Sequence, residues 1–124
     1  MEAPEKGRTL LMHILLADKM HPVAIDAFQA IPGARVTNRP DLGADDLPQI
    51  LGDVDVLVVR STKVTRAALE AAPGLGLVIR AGSGVNTIDV AAASERGIYV
   101  ANCPGKNSAA VAEVAMGLLL ALDR

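Results

Sequence analysis

Aromatic residues are nearly absent: Phe28 and Tyr99 are the two rings in 124 residues, and there is no tryptophan. Proteins that hold single-stranded nucleic acid stack its bases on several exposed rings. Here the rings are too few, and the basic residues are spread along a chain of formal net charge −2 rather than gathered into a stripe. Nucleic acid is therefore excluded as the expected partner. Cysteine is equally scarce. Cys103 stands alone, so it forms no internal disulfide and completes no zinc cluster; no metal site is expected, and the usage fits a reducing compartment, with the cytoplasm as the default. Long apolar runs are missing too. The longest, residues 114–122, is interrupted by Gly117 and falls well short of the roughly 20 residues that span a bilayer, so no membrane role is expected. Residues 1–11 mix acid, base and proline without the apolar centre of a signal peptide, and read as a loose extension before a domain that starts at Met12.

What is present is apolar substance for one core: 51% of the residues are hydrophobic and 21% charged, in a length that suits a single domain. Apolar runs of strand length alternate with segments of helical period. Strands are expected at 12–17, 34–37, 54–59, 77–79 and 98–101. Helices are expected at 22–31, with Pro22 in its first turn and Gly33 at its exit, and at 66–72 behind a Thr65 cap. A weak helix near 45–51 with Pro48 early, a helix from an Asp89 cap to Gly97, and one from Ser108 complete the set. Five strand-helix units imply an α/β fold, a flavodoxin-like doubly wound parallel sheet of five strands in the order 2-1-3-4-5. The last segment, 108–124, is apolar on more than one face, through Ala110, Val111, Val114, Ala115, Leu118, Leu119 and Leu122. It reads either as a buried core helix or as one that crosses to another domain or subunit.

In such a sheet ligands bind beyond the carboxyl ends of the strands. Asp18 and Lys19 follow strand one, Arg60, Ser61 and Lys63 strand three, Arg80 and the stretch 81–86 strand four, and residues 102–108 strand five. Either arginine alone reads as a surface ion pair. Arg60 and Arg80 on neighbouring strand ends, with Gly82, Ser83, Gly84 and Val85 offering main-chain N–H groups between them, make an anion site, because guanidinium forks match carboxylate and phosphate oxygens. A dinucleotide fingerprint is absent: Gly74 and Gly76 are followed by LVI, and Gly82 and Gly84 by VNT. His13 sits inside a strand and His21 just before a helix, so no catalytic residue is assigned. From the residues alone the reading is a binding domain for a small anion.

The runs RAGSGVNTID (80–89), AAASERG (91–97) and NCPGKNS (102–108), with Ala112 and Glu113, resemble the N-terminal region of the D-2-hydroxyacid dehydrogenases, and VVRSTKV (58–64) resembles the phosphoglycerate dehydrogenase branch of that family. The resemblance implies a flavodoxin-like substrate-binding domain over 12–107 and an interdomain helix over 108–124 leading to a Rossmann half that would hold NAD. It implies that the catalytic histidine lies in that half and that this chain alone neither binds NAD nor turns substrate over. Carried over by position, Arg60, Ser61, Arg80, Gly82, Ser83, Gly84, Val85 and Asn107 would bind a small anionic 2-hydroxy acid, and Ser83 would also touch the cofactor. Family members often have Asp-Asn where this chain has Asn86 and Thr87, which leaves those two positions without an assigned role. A bare last helix would pair with a second copy, giving a homodimer. Other hydroxy acids (hydroxypyruvate, glycerate or lactate) and a non-catalytic interaction module stand as alternatives. A phosphorylatable receiver domain, suggested by Asp18 and Lys106, is disfavoured because Arg60 and Ser61 occupy the place of its acceptor aspartate.

Overall fold

Residues 12–20, 22–81 and 87–102 are described by the computed structural model, and within them five strands alternate with four helices. The sheet is built from β1 (Met12–Leu16), β2 (Ala34–Asn38), β3 (Val56–Val59), β4 (Leu77–Arg80) and β5 (Tyr99–Asn102). All pairings are parallel and the order is β2-β1-β3-β4-β5, as expected from the alternation of elements. The uninterrupted apolar runs of β3 and β4 are explained by their place at the centre of the sheet. All four residues of β3 are buried, as are Leu77, Val78 and Ile79 of β4, because both faces are covered. The flanking β2 and β5 are only partly covered and mix polar with apolar residues.

Strand side chains alternate between two cores. On one face Leu15, Leu57, Val59 and Val78 pack against α2 (Leu47–Ile50), α3 (Arg66–Glu70) and α4 (Val90–Glu95) through Leu47, Ala68, Leu69, Ala92 and Ala93. On the other, Ile14, Leu16, Val56, Val58, Leu77 and Ile79 meet Ala24 and Phe28 of α1 (Pro22–Gln29). Two of the expected caps form: the Thr65 hydroxyl accepts from the Ala68 N–H at 3.3 Å and the Asp89 carboxylate from the Ala92 N–H at 3.0 Å. Gly33 and Gly97, at φ 79° and 72°, turn the chain from helix to strand in a left-handed conformation that a side chain would strain.

Most boundaries shift by one or two residues from expectation, and three of the shifts have identifiable reasons. α1 closes at Gln29, since the Ile31 N–H bonds to the Phe28 carbonyl and tightens the last turn. The expected helix at 45–51 is four residues of α-helix flanked by 3₁₀ turns at Ala44–Asp46 and Leu51–Asp53, with Pro48 near its start. β3 starts at Val56 rather than Val54: the Val54 N–H closes the preceding 3₁₀ turn onto Leu51, and the Asp55 carboxylate takes the His13 N–H at 2.8 Å. Among the described residues no helix is long and apolar enough to cross a membrane. The extension 1–11 and the apolar segment 108–124, with the dimer expected through it, lie outside the described residues.

Candidate functional site

Parallel strands end on the same side, so the residues that follow β1, β3, β4 and β5 share one edge of the sheet. The register places Val59 beside Arg80 and Arg80 beside Asn102, and the Ala17 N–H bonds to the Val58 carbonyl at 3.0 Å. Arg60 and Arg80 are thereby gathered at adjacent strand ends. Arg60 and Ser61 are exposed and Arg80 is half-buried.

Main-chain groups orient both guanidinium groups. The Arg60 Nη1 donates to the Lys19 carbonyl at 3.0 Å, and the Arg80 Nε donates to the Arg60 carbonyl at 2.8 Å. Beneath them lies an arrangement that the sequence did not announce. One carboxylate oxygen of Asp18, Oδ2, accepts the N–H groups of Arg60 at 2.8 Å, Ser61 at 2.8 Å and Thr62 at 2.9 Å. Three converging N–H groups ordinarily form a cradle for a bound anion; here the chain's own carboxylate fills it. The main-chain N–H groups of residues 60–62 are therefore engaged by Asp18, which leaves the Ser61 hydroxyl as the donor that this residue could offer an anion. The one available signal was an acid directly after strand one in a sheet where strand three lies next door.

Burial by itself raises the pKa of Asp18, and the hydrogen bonds from Thr62, Arg60 and Ser61 together outweigh it, so the carboxyl titrates below its ordinary value of 3.8. A depressed folded-state pKa contributes stability that is present above the unfolded value and is lost as pH falls through the folded one. Urea unfolding of the protein and of Asp18→Asn should therefore differ at neutral pH, and the gap should close on acidification from about pH 5 to about pH 2. A gap that stays constant across that range would mean that the carboxylate charge has no part in holding the loop.

Further along, the loops after β3 and β4 are tied by a parallel bridge between Val64 and Ile88, with the Val64 N–H on the Thr87 carbonyl and the Asp89 N–H on the Val64 carbonyl, both at 2.9 Å. This bridge fixes the far side of the glycine stretch. The stretch itself, with Gly82, Ser83, Gly84 and Val85, lies outside the described residues, as does Asn107. The Thr87 hydroxyl oxygen, beside that stretch, is buried and finds no hydrogen-bond partner among the described residues.

His13 lies away from the strand ends that carry Arg60 and Arg80. It is buried near the opposite end of β1, with Nε2 2.7 Å from the Thr37 hydroxyl and Nδ1 3.3 Å from the Asp53 carbonyl. Asp53 in turn pairs with Arg35 at 3.1 Å, and its carboxyl is lowered first by that hydrogen bond. This is a structural polar cluster at the N-terminal end of the sheet. Among the described residues no three His, Cys, Asp or Glu side chains are grouped to hold a metal ion. Nor do the described residues fit a dinucleotide: residues 17–21, which join β1 to α1, include none of the glycines that let a pyrophosphate approach a helix start.

Comparison with known proteins bears on the family and the fold. Residues 14–117 match the family model described as D-isomer specific 2-hydroxyacid dehydrogenase, catalytic domain. The chain is 44% identical over 115 residues to a D-3-phosphoglycerate dehydrogenase of Methanocaldococcus jannaschii, a match covering 92% of this chain and 22% of that protein. It is 52% identical over 84 residues to a hydroxypyruvate reductase of Thermotoga maritima, covering 67% of this chain and 28% of that protein. The structure of a 3-phosphoglycerate dehydrogenase of Entamoeba histolytica with NAD+ bound superposes with a TM-score of 0.69 at 27% identity, over 87% of this chain and 38% of that one. The chain thus spans about a quarter of the length of these curated relatives. With a five-stranded parallel sheet in the order 2-1-3-4-5 and a family match running from Ile14 to Gly117, the chain belongs to the D-isomer specific 2-hydroxyacid dehydrogenases.

Proposed function

We propose that this chain is the substrate-binding part of an NAD-dependent D-3-phosphoglycerate dehydrogenase, and that it holds 3-phosphoglycerate for oxidation at its 2-hydroxyl. The observation that carries this reading is the pair of guanidinium groups on adjacent strand ends, Arg60 and Arg80, coupled through the Arg60 carbonyl. Two such forks suit a ligand with two anionic ends, a carboxylate and a phosphate. In this reading Ser61, Gly82, Ser83, Gly84, Val85 and Asn107 complete the binding set, Ser83 also meets the cofactor, and two copies pair through residues 108–124. The oxidation takes a hydride from the carbon bearing the hydroxyl to NAD+ and a proton from the oxygen to a base. Asp18 is a poor base, because its basicity is spent on three N–H groups, and His13 is distant from the cleft. The described residues therefore bind and orient; the chain alone is expected to make no NADH.

A hydroxypyruvate-reducing enzyme is the second reading, favoured by the 52% identity over 84 residues to the Thermotoga maritima protein. Amide NMR titration separates the two. With 3-phosphoglycerate, shifts are expected at Arg60, Ser61, Arg80 and Ala81, saturating at lower concentration than with hydroxypyruvate or lactate. Tighter binding of hydroxypyruvate would overturn the first reading in favour of the second.

A further inference from the structure

We propose that Asp18 is a positioning residue of this cleft: its carboxylate fixes the main chain at 60–62, and through the Arg60 carbonyl it sets the orientation of the Arg80 guanidinium. The inference rests on the two-arginine reading of the site and adds to it the group that organises the arginines. Arg60 is tied at both ends of its backbone. Its N–H is on Asp18 Oδ2 at 2.8 Å, and its carbonyl accepts the Arg80 Nε at 2.8 Å. Its side chain returns to the same connection, with Nη1 on the Lys19 carbonyl at 3.0 Å. The turn between β1 and α1 thus supports both guanidinium groups. Charge-assisted bonds to three successive N–H groups hold a loop far more rigidly than the neutral bonds that solvent would supply.

Two accounts of Asp18 differ in sign. Its negative charge stands in a site for anions, so if it acted only as a charge, removing it would tighten anion binding. If it acts by position, removing it loosens Arg80 and weakens binding despite the gain in potential. Asp18→Asn keeps an acceptor oxygen without the charge and Asp18→Ala removes both, so the loss should grow from the first to the second.

The test is made on the whole 124-residue chain. Binding of 3-phosphoglycerate is expected to weaken by about tenfold in Asp18→Asn and by more in Asp18→Ala, on the scale of a lost charge-assisted contact. In the unliganded protein the Arg80 Nε–H should exchange with solvent about tenfold faster in the variants, while the amides of Leu57 and Val78, in the core strands, keep their protection. Unchanged Arg80 exchange, or binding as tight as in the parent, would overturn the proposal. So would tight binding of inorganic phosphate at the 60–62 amides of Asp18→Ala, which would make Asp18 a mere occupant of an anion cradle. Should the parent chain fail to bind 3-phosphoglycerate, the substrate reading fails. The Arg80 exchange comparison would still decide the role of Asp18.

Discussion

Truncating Phe28 to alanine should cost about 3 to 5 kcal/mol, the range found for large aromatic side chains removed from packed cores. Phe28 is the chain's one phenylalanine and is fully buried. It projects from the last turn of α1 onto the face of the sheet formed by Ile14, Leu16, Val56, Val58, Leu77 and Ile79. Among the described elements α1 is the single helix on that face, and it is eight residues long, too short to persist in water without its packing. Ala24, one turn earlier, shares the buried stripe but fills little volume, and Ile25 and Ala27 are only partly buried against the cluster, so Phe28 is the largest fully buried side chain that α1 contributes to it. Domains of this size are stable by about 5 to 15 kcal/mol, and the loss would take from a fifth of that to all of it. Urea unfolding followed by circular dichroism is the direct measurement. The midpoint should drop sharply in Phe28→Ala and by much less in Phe28→Leu, which keeps most of the volume. A cost below about 1 kcal/mol for the alanine would mean that α1 is not what seals this face.

The sheet was legible because its signal is collective. Five apolar runs separated by helical segments leave few topologies once crossovers are right-handed, and the burial of both faces of β3 and β4 is written directly in VLVV and LVI. The adjacency of Arg60 and Arg80 was legible for the same reason: the fold alone puts the ends of β3 and β4 side by side. Asp18 was visible as an acid after strand one, yet its role was not. That role depends on the main chain at 60–62 turning three N–H groups toward one oxygen, and backbone direction in a loop is not encoded by the identity of Arg, Ser or Thr. The ends of elements were missed where a tightened turn or a side chain takes up main-chain groups, as with the Ile31 N–H on the Phe28 carbonyl after α1 and the Asp55 carboxylate on the His13 N–H before β3.

The second large effect concerns Arg80. Replacing it by alanine should weaken binding of 3-phosphoglycerate by about 10- to 100-fold, on the footing that a hydrogen-bonded charge contact is worth about 1.5 to 3 kcal/mol. Arg80→Lys should fare little better. The Arg80 Nε already donates to the Arg60 carbonyl, a tie that sets the direction of the guanidinium plane. An ammonium group has no second, rigidly placed set of donors, so a lysine that kept the tie to residue 60 would present no fork to the anion. Arg60→Ala differs in kind. It removes one guanidinium but leaves the main-chain carbonyl of residue 60 in place, so Arg80 keeps its orientation. With a ligand that has two anionic ends, both alanine variants should lose affinity. With hydroxypyruvate, which has one, the loss should be confined to whichever arginine meets the carboxylate, and the other variant should bind about as well as the parent. Equal losses for both ligands in both variants would mean that the two arginines grip a single anionic group together, and the argument from a doubly charged ligand to a phosphorylated substrate would fall.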